Sequence, residues 1–161
     1  LQNLKFRLPI IRVRFFVLNS KDNKMKIEIQ RKGKCHCGAI SYVTEGQEVY
    51  HSLCHCTDCR RWSGAPMVGW IAFKKDQIKI TGSPNSYASS KNGTREFCGN
   101  CGTGMFYRNE VLLPGLIDVH SGTLDDLSSS PPDSQVMIKE RVSWLDHFEK
   151  LLKFHSYPGK D

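Results

Sequence analysis

A chain of 161 residues, 39% hydrophobic and 24% charged, is long enough to bury one core and too apolar to be disordered. It contains no run near the ~18 apolar residues of a membrane-spanning helix. The net charge of +7 points toward nucleic acid, but ten Lys/Arg and only two acids fall in residues 1–34. The remainder is nearly neutral, which counts against a specific nucleic-acid face.

In chain order, residues 4–18 mix apolar residues with Lys5, Arg7, Arg12 and Arg14, unlike a signal-peptide core. Met25 opens an alternating, strand-like stretch to Gln30. We expect residues 1–24 to be an N-terminal extension and residues 25–161 to be one domain. The rival reading is an edge strand or interaction arm, because residues 10–17 alternate in part with period two. From residue 25 the pattern is short strands punctuated by Gly, Pro, Asn and Ser. Strands are expected at 39–43, 67–73, 77–81, 94–98, 104–107, 116–120 and 136–140. A short helix is expected at 54–62 and one turn at 123–127. A final helical piece at 144–152 would pack Leu145, Phe148, Leu151 and Leu152 on one face. The fold class is therefore mainly β with one or two short helices.

The seven cysteines carry the chemistry. They fall into three groups: Cys35 and Cys37; Cys54, Cys56 and Cys59; Cys98 and Cys101. C-x-C and C-x-x-C spacings are poor for long-range disulfides and suit metal chelation, since two thiolates on one tight turn reach one ion. Gly38 and Gly102 can take positive φ, which aims backbone N–H groups at the sulfurs. Seven thiolates divide as four plus three. Four close a structural zinc site; three leave a position open, as in catalytic zinc. The triplet is hard to share between two ions. Cys35, Cys37, Cys98 and Cys101 then meet across the chain and pin the N-terminal strand to a distant hairpin.

Around the triplet, Cys56 and Cys59 fall on one face if Cys56 starts a helix, and the helix start favours thiolate. Arg60 and Arg61 follow directly and are candidate contacts for a substrate carboxylate or a developing alkoxide. His36 and His55 are read as non-ligands, with His55 the readier exception. His51, His120, His147 and His155 are read as surface or packing residues. Asp58 and Glu96 are candidate orienting or acid–base groups, or solvated carboxylates. Trp62, Trp70, Phe73, Phe106 and Tyr107 are read as core, with Trp62 a candidate wall of the open position. A redox dithiol and a zinc ribbon with only structural sites remain as rivals.

The stretches Gly33–Tyr42, Cys54–Pro66 and Phe97–Thr103, with weaker echoes at 117–126 and 141–146, resemble the glutathione-dependent formaldehyde-activating enzyme-like family, which includes the centromere protein V group. The resemblance covers roughly residues 33–158. It implies an Mss4-like zinc-binding fold of antiparallel β-sheets. It implies a structural zinc on Cys35, Cys37, Cys98 and Cys101 and a catalytic zinc on Cys54, Cys56 and Cys59. It also implies a carbon–sulfur lyase-type reaction, which joins formaldehyde to glutathione as S-hydroxymethylglutathione. A thiol and a small aldehyde are thus the expected partners. The non-enzymatic alternative is a zinc-stabilised binding module or a thiol/aldehyde carrier. Thiolate ligands need a reducing compartment, so a cytoplasmic location is expected. The three-cysteine site is expected to be the less fully occupied of the two.

Overall fold

The computed structural model describes residues 29–159. Residues 1–24, the alternating segment at 10–17 and most of the stretch at 25–30 lie outside them. The described chain runs β1 (Gln30–Lys34), β2 (Ser41–Glu45), β3 (Tyr50–Cys54), α1 (Thr57–Ser63), β4 (Val68–Lys74) and β5 (Ile78–Thr81). It continues through β6 (Asn85–Ala88), β7 (Thr94–Phe97), β8 (Gly104–Arg108), β9 (Leu116–His120) and β10 (Ser134–Val136). The remaining helical pieces are 3-10 turns. The fold is mainly β, as the punctuated pattern requires. No helix among the described residues is long and apolar enough to cross a membrane.

Two sheets form. The smaller has the order β1-β2-β5, and the larger β10-β3-β4-β9-β8-β7-β6. Every pairing is antiparallel except β10 on β3, which is parallel. That one pairing departs from the wholly antiparallel expectation.

Strand geometry sends alternate side chains to opposite faces. On the inner face of the large sheet, Ile71 and Phe73 of β4, Ile117 and Val119 of β9 and Phe106 of β8 meet Ile40 and Tyr42 from the small-sheet side. Each such side chain contributes ~1.5–3 kcal/mol by leaving water. Tyr42 lies edge-on to Phe106 and bonds Thr123 Oγ1 at 2.9 Å, so its hydroxyl is satisfied in the core. β4 is buried on both faces (Val68, Trp70, Ile71, Ala72 and Phe73), so a second structure covers its other side.

Three expected elements differ. The strand at 136–140 is instead Ser134–Val136; Met137 takes φ +58° and a 3-10 turn follows. That turn brings Glu140 back to accept from Thr57 N at 2.8 Å, at the start of α1. The turn at 123–127 is two short 3-10 turns, Ser121–Thr123 and Leu127–Ser129. The final helical piece is a 3-10 run, Ser143–Lys150, broken at His147. Only Leu145 of its apolar set is buried; Phe148, Leu151 and Leu152 are exposed. The expected packing face is absent because a 3-10 run with a kink cannot hold 3.6-residue spacing.

Candidate metal centres and the adjoining cavity

Cys35, Cys37, Cys98 and Cys101 form one cluster and Cys54, Cys56 and Cys59 another, with the sulfurs of each within 4.8 Å of one another. All seven are free thiols. In the four-cysteine cluster the turns are near copies. Cys35 N donates to Ile40 O and Gly38 N to Cys35 O; Cys98 N donates to Thr103 O and Gly102 N to Cys98 O. Gly38 and Gly102 take φ of +79° and +75°, the left-handed region that a Cβ disfavours. Ile40 N donates to Cys35 Sγ at 3.3 Å, and Thr103 Oγ1 joins the turns by bonding Cys101 Sγ and His36 N. Sulfurs of Cys35 and Cys37 lie 3.6 Å apart and those of Cys37 and Cys98 3.7 Å apart. A tetrahedron with zinc–sulfur bonds near 2.3 Å has edges of ~3.8 Å. The donor set and its spacing therefore fit zinc.

The triplet is assembled at a strand-to-helix joint. Cys54 is the last residue of β3 and Cys56 is the N-cap of α1, its sulfur accepting from Cys59 N at 3.3 Å. The helix ends at Gly64, whose N–H returns to Arg60 O. Among the described residues, no His, Asp or Glu completes this group. His55 is buried and turned away, with Nε2 2.9 Å from Gln135 Oε1. His36 is exposed. Three sulfurs and no fourth protein donor fit an ion with one free position.

Cys54, Cys56 and Cys59 line a cavity of about 360 Å³, built on the outer face of the large sheet. Register places Tyr50 opposite Ala72, Ala72 opposite Asp118, Asp118 opposite Tyr107 and Tyr107 opposite Arg95. These residues form one cross-strand row over five strands. Ser52, Trp70 and His120 form the next row. Helix α1 supplies Cys56, Asp58 and Cys59, and Leu112 and Leu113 reach the cavity from the loop before β9.

Arg95 is 3% exposed. Its Nη2 donates to Asp58 Oδ2 at 2.5 Å and lies 3.6 Å from Cys59 Sγ. Its guanidinium sits 5.2 to 5.9 Å from the centres of the Tyr107, Trp62 and Trp70 rings. This cage holds a cation against a thiol. The Cys54 thiol bonds to Cys59, and Arg95, Cys56 and Trp70 add further hydrogen bonds, so Cys59 is held well below the ordinary thiol range. The same bond to Cys59, with burial, pushes Cys54 up.

Two further groups are displaced. Burial raises the Asp118 carboxyl to about 6, against the hydrogen bond it accepts from Tyr50. Burial and the nearby Arg95 lower His120 to about 4, and its ring stands edge-on to Trp70 at 4.8 Å.

The arginines expected at the site sit differently. Arg60 donates to Thr57 Oγ1 at 3.0 Å, Arg61 is exposed, and neither lines the cavity. Arg95 is the cavity's arginine. Trp70 and Tyr107, expected in the core, line the cavity, while Phe73 and Phe106 are core. Trp62 stacks on Tyr87 at 6.0 Å and meets Phe97 edge-on, outside the lining. Asp58 pairs with Arg95 and Glu96 with Arg108. His51 bonds Ser130 O, and His147 and His155 are exposed. Arg95, Tyr50 and Asp118 were missed as site residues. Asp118 alone had a local signal, a charge inside the otherwise apolar Ile117-Asp118-Val119.

The architecture and the two thiol centres define a mainly β protein that joins a closed four-sulfur cluster to an open three-sulfur one. The family model described as glutathione-dependent formaldehyde-activating enzyme matches residues 30–140, and the chain belongs to that family. A Schizosaccharomyces pombe protein described as an uncharacterized lyase is 34% identical over 128 residues, covering 76% of this chain and 89% of the yeast protein.

Proposed function

We propose that the protein is a zinc-dependent lyase of the carbon–sulfur type, which adds a small thiol to a small aldehyde such as formaldehyde and reverses that addition. The observation that carries this reading is the opening of the three-cysteine centre into a cavity, with no fourth protein donor among the described residues. The family description and the lyase-named yeast relative agree with it. Cys54, Cys56 and Cys59 would hold the zinc, and Cys35, Cys37, Cys98 and Cys101 a second, structural one. When bound at the triplet, zinc supplies a Lewis-acid position that favours a substrate thiol in its thiolate form.

The chain's own residues do the rest. Arg95 offsets the negative charge of the thiolates from within the cavity wall. Trp70, Tyr107, Leu112 and Leu113 give the cavity a largely apolar wall around the sulfurs. The cavity would bring a substrate thiol and an aldehyde carbon together in one small volume.

The test is Cys56→Ser, read by zinc content and by NMR exchange between formaldehyde, thiol and their adduct. We expect one zinc fewer per chain and loss of catalysed exchange. Unchanged exchange at one zinc fewer would sink the assignment.

A further inference from the structure

We infer that Asp118 is the proton-transferring group of this site and that Tyr50 positions it. The inference rests on the thiol–aldehyde reading above. Asp118 stands in the middle of a central strand, between the core residues Ile117 and Val119, and it alone of the three turns to the cavity. A carboxylate there is costly unless it is paired. The nearby cation does not pair with it. Arg95 bonds Asp58, whose side chain is 69% exposed, and the Cys59 sulfur. The hydrogen bond that Asp118 does receive comes from Tyr50 Oη at 2.5 Å.

That bond is built by the register. Tyr50 and Asp118 flank Ala72 in one cross-strand row, so they stand two strands apart, roughly 9.6 Å. A phenol spans that gap only if the residue between is small. Alanine at position 72 leaves the room. Burial keeps the Tyr50 phenol protonated, so it remains a donor. The titratable groups that share the cavity with Asp118 are Tyr50 and Cys54 from β3, Cys56, Asp58 and Cys59 from α1, Arg95 from β7 and Tyr107 from β8. His120 follows two residues later on the same face of β9.

The step balances without any redox partner. The substrate S–H proton passes to an Asp118 carboxylate oxygen, and the sulfur pair forms the C–S bond. The carbonyl π pair moves to oxygen, which takes the proton back from Asp118 to give the hydroxyl of the adduct. The reverse reaction starts from the same carboxylate, which removes the hydroxyl proton and returns it to sulfur. Activity should therefore rise with pH as Asp118 ionises, above the usual carboxylate range because the group is buried.

The experiment uses zinc-loaded full chain, Asp118→Asn and Tyr50→Phe. Exchange NMR with formaldehyde and ethanethiol is run from pH 5 to 8, beside zinc analysis. Asp118→Asn should lower kcat about 100-fold, leave the thiol KM within about threefold, keep the zinc and erase the acid limb. Tyr50→Phe should lower kcat less and move the limb to higher pH, because the lost hydrogen bond had favoured the carboxylate. A kcat for Asp118→Asn within about twofold of wild type, or zinc lost along with activity, overturns the proposal.

A binding arm separates this proposal from the reading beneath it. Calorimetry compares 2-mercaptoethanol with ethanethiol on the zinc-loaded chain. The hydroxylated thiol should bind about tenfold tighter to wild type and lose that preference in Asp118→Asn. If wild type catalyses no exchange, the lyase reading falls and this preference decides the role of Asp118. Equal binding by wild type, or a preference kept by Asp118→Asn, overturns it.

Discussion

Replacing Arg95 with methionine should weaken one metal centre while leaving the fold almost untouched. Arg95 Nη2 serves both Asp58 and Cys59. The Asp58 side chain is 69% exposed, so its ion pair contributes less than ~1 kcal/mol. Methionine fills the same aromatic cage and favours sulfur–ring contact. Removing the guanidinium also removes the cost of burying it. With the four-cysteine centre loaded and the triplet empty, folding stability should therefore change by no more than about 2 kcal/mol. The contact with Cys59 is a different matter, because a charge-assisted hydrogen bond in a dry site contributes ~1.5–3 kcal/mol. Its loss corresponds to roughly 10- to 100-fold weaker zinc binding at the triplet. Competition with a chromophoric chelator resolves two classes of zinc and gives each affinity. Arg95→Lys should fall between, because it keeps the charge and loses the planar fork. Triplet affinity within threefold of wild type in Arg95→Met, or an equal loss at both centres, would refute the reasoning.

Cys98 is 1% exposed and ties the β7–β8 hairpin to the Cys35–Cys37 turn. Cys98→Ser should abolish folding, because structural zinc supplies ~10–16 kcal/mol in small domains against a total stability of ~5–15 kcal/mol; a cooperative melt near the wild-type Tm would contradict this. Graded chelator should empty the triplet before the four-cysteine centre, since three protein bonds hold less firmly than four; cobalt spectra of the remaining site report the order, and the reverse order would be decisive against it. His120 and Asp118 should oppose each other in acid. The folded-state value of His120, about 4, lies below its unfolded ~6.5, so stability falls as pH drops from 6.5 to 4, by up to ~3 kcal/mol. The folded-state value of Asp118, about 6, lies above its unfolded ~3.9, so stability rises as pH drops from 6 to 4 by a similar amount. Between pH 7.5 and 5, His120→Gln should gain Tm relative to wild type and Asp118→Asn should lose it; parallel shifts in the two variants would show that these groups are not coupled to folding in this way.

The two cysteine clusters were legible because they depend on local spacing, and Cys54-x-Cys56-x-x-Cys59 brings its own sulfurs together. The strands at 67–73, 94–98, 104–107 and 116–120 were legible because β-branched and aromatic residues lay between turn residues. β3 was not, since Tyr50-His-Ser-Leu-Cys54 carries polar residues toward a cavity and breaks the apolar alternation. β6 was not, because it is an exposed edge of polar residues. The site arginine was misplaced for a simple reason. Arg60 and Arg61 are adjacent to Cys59 in sequence, but a helix turns successive residues away from one another by about 100°. Arg95 arrives from 36 residues away through sheet register, which no local pattern encodes.

The two centres are coupled through a single strand. Arg95 lies in β7, three residues before Cys98, and that strand runs directly into the four-sulfur turn. Closing the four-cysteine centre fixes the end of β7 and with it the height at which Arg95 meets Cys59. Such coupling is reciprocal in binding free energy, but the two centres differ in what else supports them. β7 is held by β6 and β8 on its flanks and by the turn at its end, none of which needs the triplet. The triplet needs β7 for its cation. Emptying either centre should therefore weaken zinc binding at the other by the same factor, while the fold survives loss at the triplet better than loss at the four-cysteine centre. In that sense the closed site is part of the open one's machinery: it sets where the charge that balances the reactive sulfurs is held.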